Sequence, residues 1–194
     1  MVTGVQIEMV SVAVWLLAVT IVLIGEARVI GGLQQGLGRS GRVLSSADGL
    51  AIGAPLPTTP ALDLRTGDAV PLGSPGRGMV VVLVSSTCGP CHGMASSLRT
   101  RSAKLPHHDL VFLCRGKRES VEMFRDEFPA GTSVLWDAED RSKDAFACGI
   151  TPFAFLFDRE GRLALKGVCG SAEALETLVR ADRARPRRAA AAGR

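Results

Sequence analysis

No acidic residue occurs between Gly73 and Cys91, no Lys or Arg precedes the first apolar run, and no segment repeats another. Cysteine is sparse as well, at five in 194 residues. Five is odd, so at least one thiol stays unpaired within a single chain, and a dense disulfide framework is excluded. A zinc site would need a second ligand pair. Cys114, Cys148 and Cys169 stand alone, and His107-His108 has no metal-ligand spacing beside it. Basic residues are in no excess outside the C-terminus. Six Arg and one Asp from Arg180 to Arg194 make a net +5 against +4 for the whole chain, leaving about −1 for everything before them. Basicity is thus a property of the tail, which argues against a nucleic-acid-binding domain.

What is present centres on Gly78 to Met94. Val80 to Val84 is an unbroken β-branched and aliphatic run, the pattern of a strand buried on both faces. Ser85-Ser86-Thr87 ends it, and Cys88 and Cys91 then bracket Gly89-Pro90. Met94, Leu98 and Leu105 follow at roughly helical spacing, which predicts a helix starting at or just inside the cysteine pair. Pro90 suits a first helical turn, where its missing N–H costs nothing. A thiol there faces unpaired backbone N–H groups and the positive end of the helix dipole, and both favour thiolate. The physical reading is a redox dithiol. Cys88 at the exposed lip attacks a partner's sulfur, and Cys91, one turn on, resolves the mixed disulfide. A C-x-x-C pair at a strand-to-helix junction is far more specific than the motif alone.

Cys88-Gly-Pro-Cys91-His92 also fits the attachment pattern of a c-type haem. The valine-rich strand feeding the motif and the α/β pattern after it argue against a haem electron carrier. His92 reads as an exposed helical residue beside the site. No cofactor is required.

Met9 to Ala27 carries an apolar core, Val10 to Ile24, interrupted only by Ser11 and Thr20. With its flanks it reaches the roughly 20 residues a spanning helix needs. It lacks the basic start and small-residue cleavage site of a signal peptide. The expected organisation is an uncleaved single-pass anchor over 1–30, a juxtamembrane linker over 31–52, a folded domain over 53–181 and a basic disordered tail over 182–194. The domain reads as short strands at Ala61–Arg65 and Ala69–Leu72, the central strand and its helix, and a strand at Asp109–Cys114. A helix at Ser120–Phe128, a strand at Ser133–Trp136 and a helix at Asp140–Ala147 come next. Thr151–Phe157 and Arg162–Val168 form a hairpin, and Ser171 caps a last helix. That alternation predicts an α/β fold, with a mixed, largely parallel sheet covered by helices on both faces.

Cys88-Gly89-Pro90-Cys91 after a buried strand, Thr151-Pro152 before a later one, then a hairpin and a helix, resembles the thioredoxin fold over about Gly53 to Ala181. The resemblance implies a cis peptide bond at Thr151-Pro152, lying against the dithiol and pairing with a visiting backbone. The extra helix–strand unit, the leading hairpin and the anchor resemble the membrane-tethered TlpA-like thioredoxins. Glu26 to Leu33 and the glycine-rich linker are similar to the MauD-like proteins of methylamine dehydrogenase maturation. The resemblance implies a monomeric thiol–disulfide oxidoreductase held to lipid by its N-terminal helix and acting on protein dithiols or disulfides, with Cys88 and Cys91 catalytic and Gly89, Pro90, Thr151 and Pro152 positioning the substrate. It also implies an extracytoplasmic domain, whereas Arg28, Arg39 and Arg42 after the anchor favour the cytoplasmic side; three arginines spread along a linker are the weaker signal.

The chain departs from the family in two places. Thr87 stands where an aromatic residue usually precedes the first cysteine. The carboxylate expected near Val82 is missing. A peroxiredoxin-like peroxidase is a further reading, since Ser85 lies three residues before Cys88, where those enzymes place a hydroxyl. Their proline four residues further back is absent, and Cys91 is atypical for them. Of the remaining thiols, Cys114 reads as an inert core residue. Cys148 lies near Thr151-Pro152 and can approach the dithiol, and Cys169 can pair with Cys148.

Overall fold

The computed structural model describes Trp15 and residues 48–59, 61–73, 76–103, 105 and 107–184. The expected anchor, apart from Trp15, lies outside the described residues, as do most of the linker and the tail from 185 onward. Among the described residues no helix is long and apolar enough to cross a membrane. The chain divides into two units, 1–40 and 41–194, and the fold described here belongs to the second.

Its centre is β3 (Gly78–Ser85), where the valine run does what its composition dictates. Successive side chains point to opposite faces. Val80, Val82 and Val84 enter one core cluster, while Met79, Val81 and Leu83 enter the other. With both faces covered, each valine removed from water contributes about 1.5–3 kcal/mol. Around it stand β1 (Ala61–Asp63), β2 (Ala69–Val70), β4 (His108–Arg115), β5 (Ser133–Asp137), β6 (Phe153–Phe157) and β7 (Leu163–Val168). They form one seven-stranded sheet in the order β2-β1-β5-β4-β3-β6-β7.

The sheet is mixed but not largely parallel. Only β3–β4 and β4–β5 pair in parallel, and the other four pairings are antiparallel. The reason is connectivity. Parallel neighbours need a crossover helix, and only the two crossovers around β4 supply one between adjacent strands; short turns join β1 to β2 and β6 to β7 antiparallel, and β1–β5 and β3–β6 are antiparallel neighbours with no direct connection.

Helices α1 (Gly89–Thr100), α2 (Arg118–Arg125) and α4 (Ala172–Ala184) cover the face of Val80, Val82 and Val84. In α1 the buried residues Cys91, Met94, Ala95 and Leu98 recur at i, i+3, i+4 and i+7, and Ala172, Leu175, Glu176 and Val179 repeat that spacing in α4. Leu105, which the spacing assigned to the first helix, lies beyond its end at Thr100 but still packs against the same core. Helix α4 runs to Ala184, past the expected start of the tail. Ser171 does cap it, its hydroxyl accepting a bond from the Ala174 N–H at 3.2 Å.

The other face is closed by the short helix α3 (Arg141–Ala145), by Phe146 and Cys148 after it, and by Leu50 and Leu56. Residues 48–50, assigned to the linker by sequence, are tied into this face. The N–H groups of Gly49 and Leu50 donate to the carbonyls of Ala147 and Phe146 at 3.0 and 3.1 Å. The ammonium of Lys166, itself only 3% exposed, donates to the carbonyls of Asp48, Gly49 and Leu50 at 2.7, 3.1 and 2.9 Å. A buried ammonium must be fully hydrogen-bonded to be tolerated, and three carbonyls match its three donors. Gly49 suits the crossing: its φ is +80° and a Cβ there would meet the Phe155 ring at 2.9 Å.

Candidate active site

The sheet register explains why distant residues meet. Strand β4 runs parallel to β3, so its last residue, Arg115, pairs with Ser85. Strand β6 runs antiparallel to β3, with Phe153 opposite Leu83, so its beginning lies beside the end of β3. The turn after β3, the loop after β4 and the loop before β6 therefore converge at one edge. The first carries Cys88 and the last carries Thr151-Pro152.

Cys88 is the N-cap residue of α1, in extended conformation, and its N–H donates to the Ser85 carbonyl at 3.1 Å. Its own carbonyl accepts the N–H groups of Cys91 and His92 at 2.9 and 3.3 Å, so the first turn closes directly on it. Pro90 falls within that turn, where no N–H is missed. Gly89 and Pro90 are exposed, Cys88 is half-buried and Cys91 is 0% exposed. The Thr151-Pro152 peptide bond is cis. The thiol of Cys88 donates to the carbonyl of Thr151 at 3.4 Å. Pro152 is buried, and its carbonyl accepts the Cys169 N–H at 3.1 Å.

Burial pushes the Cys91 thiol up to about 12, and its hydrogen bond with Cys88 acts in the same direction, against weaker contributions from the Ser85 backbone and Thr151. None of these groups is a carboxylate. The inner thiol therefore holds its proton at neutral pH, while the outer one meets solvent.

Two residues not singled out as site residues, or read differently, also stand here. His92 is more than an exposed helical residue. Its Nδ1 lies 2.8 Å from both carboxylate oxygens of Glu127, its Nε2 lies 3.1 Å from the Ser86 carbonyl oxygen, and its ring meets Phe124 edge-on at 4.9 Å. Arg115 is 14% exposed at its side chain, pairs with Asp140 at 3.2 Å and donates to the Gly149 carbonyl at 3.2 Å. It thereby braces the loop that leads to Thr151. Ser85, Arg115, Gly116 and the turn Asp137–Asp140 line an open cleft of about 530 Å3 beside the dithiol turn. The only sequence signal for Arg115 is a charge directly after a buried run; the partners of His92 lie too far along the chain to leave one.

The haem reading does not fit this arrangement. Cys91 is fully enclosed between helix and sheet, and both ring nitrogens of His92 are already engaged. Among the other thiols, Cys114 is 0% exposed in the dithiol-side cluster, and burial, followed by the nearby Cys91, pushes it up to about 12. Cys148 lies in the cluster on the opposite face, where burial raises its thiol, so it does not join the dithiol. Cys169 belongs to the dithiol-side cluster, and burial pushes it up to about 12. Cys148 and Cys169 are both free and fall in clusters on opposite faces of the sheet, so the pairing the sequence leaves open does not form here.

Comparison with known proteins agrees with this geometry. No family model matches the chain. The methylamine utilization protein MauD of Paracoccus denitrificans is 25% identical over 180 residues, covering 89% of this chain and 87% of the relative. Among solved structures, a thiol:disulfide interchange protein DsbE from Chlorobium tepidum superposes with a TM-score of 0.55 at 27% identity, covering 69% of this chain and 98% of the other. A peroxiredoxin-like protein from Aquifex aeolicus superposes with a TM-score of 0.55 at 14% identity, over 71% and 90% of the two chains, a likeness of fold alone. The chain therefore has a thioredoxin-like fold with structural neighbours of the DsbE type, and MauD is a homologue over most of its length.

Proposed function

We propose that the protein is a thiol–disulfide oxidoreductase of the DsbE and MauD type, exchanging a dithiol with protein partners. The observation that carries this reading is the pairing of a half-exposed Cys88 at a helix start with an enclosed Cys91, both beside the cis Thr151-Pro152. In the reducing direction the Cys88 thiolate attacks one sulfur of a partner disulfide, forming a mixed disulfide and releasing the partner's other sulfur as thiolate, which takes up a proton. Cys91 then loses its proton and attacks Cys88. The Cys88–Cys91 disulfide forms, and the partner's remaining sulfur leaves as a thiol. Two electrons and two protons pass to the partner, and the oxidising direction is the reverse.

Thr151 and Pro152 hold the partner's backbone against the dithiol, and Gly89-Pro90 leaves its lip unobstructed. The domain is tethered to a membrane through Met9–Ala27 and faces the extracytoplasmic side, as a monomer. The similarity to MauD favours a partner that is a secreted multi-disulfide enzyme subunit, such as that of methylamine dehydrogenase. Replacing Cys91 by Ser in the full chain should trap a mixed disulfide with such a partner. Absence of any trapped species, with Cys88 alkylatable, would sink the reading. A peroxidase is disfavoured because the second cysteine sits one turn from the first and is enclosed.

A further inference from the structure

We propose that His92 is a positioning residue for the dithiol, fastening the Ser86–Cys88 turn to Glu127, just past the end of α2. This rests on the reading of Cys88 and Cys91 as the reacting pair. The ring spans two elements. On one side it meets the carbonyl of Ser86, two residues before Cys88, at 3.1 Å; on the other it meets both oxygens of Glu127 at 2.8 Å. Each ring nitrogen faces an acceptor on a different element, and the clasp sits in the first turn of α1, whose first residue follows Cys88. Phe124 holds the ring edge-on, which limits its rotation.

Ser86 is itself pinned from behind. It is 9% exposed, its N–H donates to the Arg115 carbonyl at 3.1 Å, and a Cβ on Gly116 would collide with its hydroxyl oxygen. With its N–H fixed to β4 and its carbonyl fixed to His92, the residue that starts the turn has little freedom. Cys88 then meets a partner from one geometry.

The test compares wild type, His92→Ala, His92→Gln and Glu127→Gln in the full chain. The readouts are the pH profile of Cys88 alkylation by iodoacetamide and the dithiol's equilibrium with glutathione. His92→Gln keeps a donor for Ser86, so it separates the clasp on the turn from the bulk of the ring. In His92→Ala the alkylation rate should fall about tenfold, roughly 1.4 kcal/mol of lost positioning. His92→Gln should recover part of that loss, Glu127→Gln should lose less than His92→Ala, and the glutathione equilibrium should depart from wild type in the same order. Folded His92→Ala protein with an unchanged profile and equilibrium would overturn the inference. A wild-type protein whose Cys88 is inert would instead overturn the oxidoreductase reading beneath it.

Discussion

The thiol of Cys88 lies 3.4 Å from the carbonyl oxygen of Thr151, 63 residues further along the chain. Thr151 is the residue before the cis proline, and its carbonyl points at the sulfur rather than into solvent. On the proposed function, an incoming disulfide would displace that contact, and the two groups would set where a partner's sulfur and backbone come to rest.

Replacing Cys88 by Ser should reduce protein disulfide exchange to background. Replacing Cys91 by Ser should leave the first attack intact and stall the second. The expected products, on a non-reducing gel with an insulin-like disulfide substrate, are no adduct for the first variant and a stable adduct for the second. Equal activity of the Cys88→Ser variant and wild type would refute the assignment.

Alkaline pH should destabilise the reduced protein. Burial holds Cys91, Cys114 and Cys169 up to about 12, against an ordinary value of 9.0. Above the ordinary value the unfolded chain releases these protons while the folded chain keeps them. Their stabilisation is thus complete below about pH 9 and disappears as pH rises toward about 12. Each such proton contributes a slope of ~1.4 kcal/mol per pH unit. Urea unfolding under reductant should show this loss, and Cys169→Ala should flatten it. A pH-independent midpoint through that window would contradict the account.

Lys166→Met should cost about 2–3 kcal/mol, because it leaves the carbonyls of Asp48, Gly49 and Leu50 without their donor in a buried site. Limited proteolysis should then cut near residues 48–50 before any other part of the domain. Disulfide exchange should be little changed, since the site lies across the sheet. Wild-type stability in this variant would show that water replaces the ammonium.

Gly116→Ala should destabilise by about 1–3 kcal/mol and slow exchange together, since its φ is +138° and its new methyl would collide with Ser86. Gly131→Ala is the control. Its φ is +84°, yet nothing stands within 4 Å of the added carbon. Melting curves and exchange rates of the two should diverge, with only Gly116→Ala losing rate.

The central strand, its helix and the cysteine spacing were visible in the sequence because each is a local pattern, an apolar run in Val80–Val84 or a two-residue gap between thiols. The sheet's mixture of directions was not. Pairing of Leu83 with Phe153 depends on which strand ends up beside which, and local periodicity carries no record of that. Lys166 was missed for a related reason: a lysine in a strand reads as solvent-facing until a loop of bare carbonyls is found to cover it. His92 was underread because its partners lie six and 35 residues away on separate elements. Neither separation corresponds to a turn of one helix or a step along one strand.

The grip of Lys166 on residues 48–50 has a mechanical consequence. The chain enters the domain across the face that holds Phe146 and Phe155, while the dithiol helix lies on the face of Val80, Val82 and Val84. A pull applied at residues 48–50 is taken up by β7 and the α3 region, and the sheet stands between that segment and the thiols of Cys88 and Cys91.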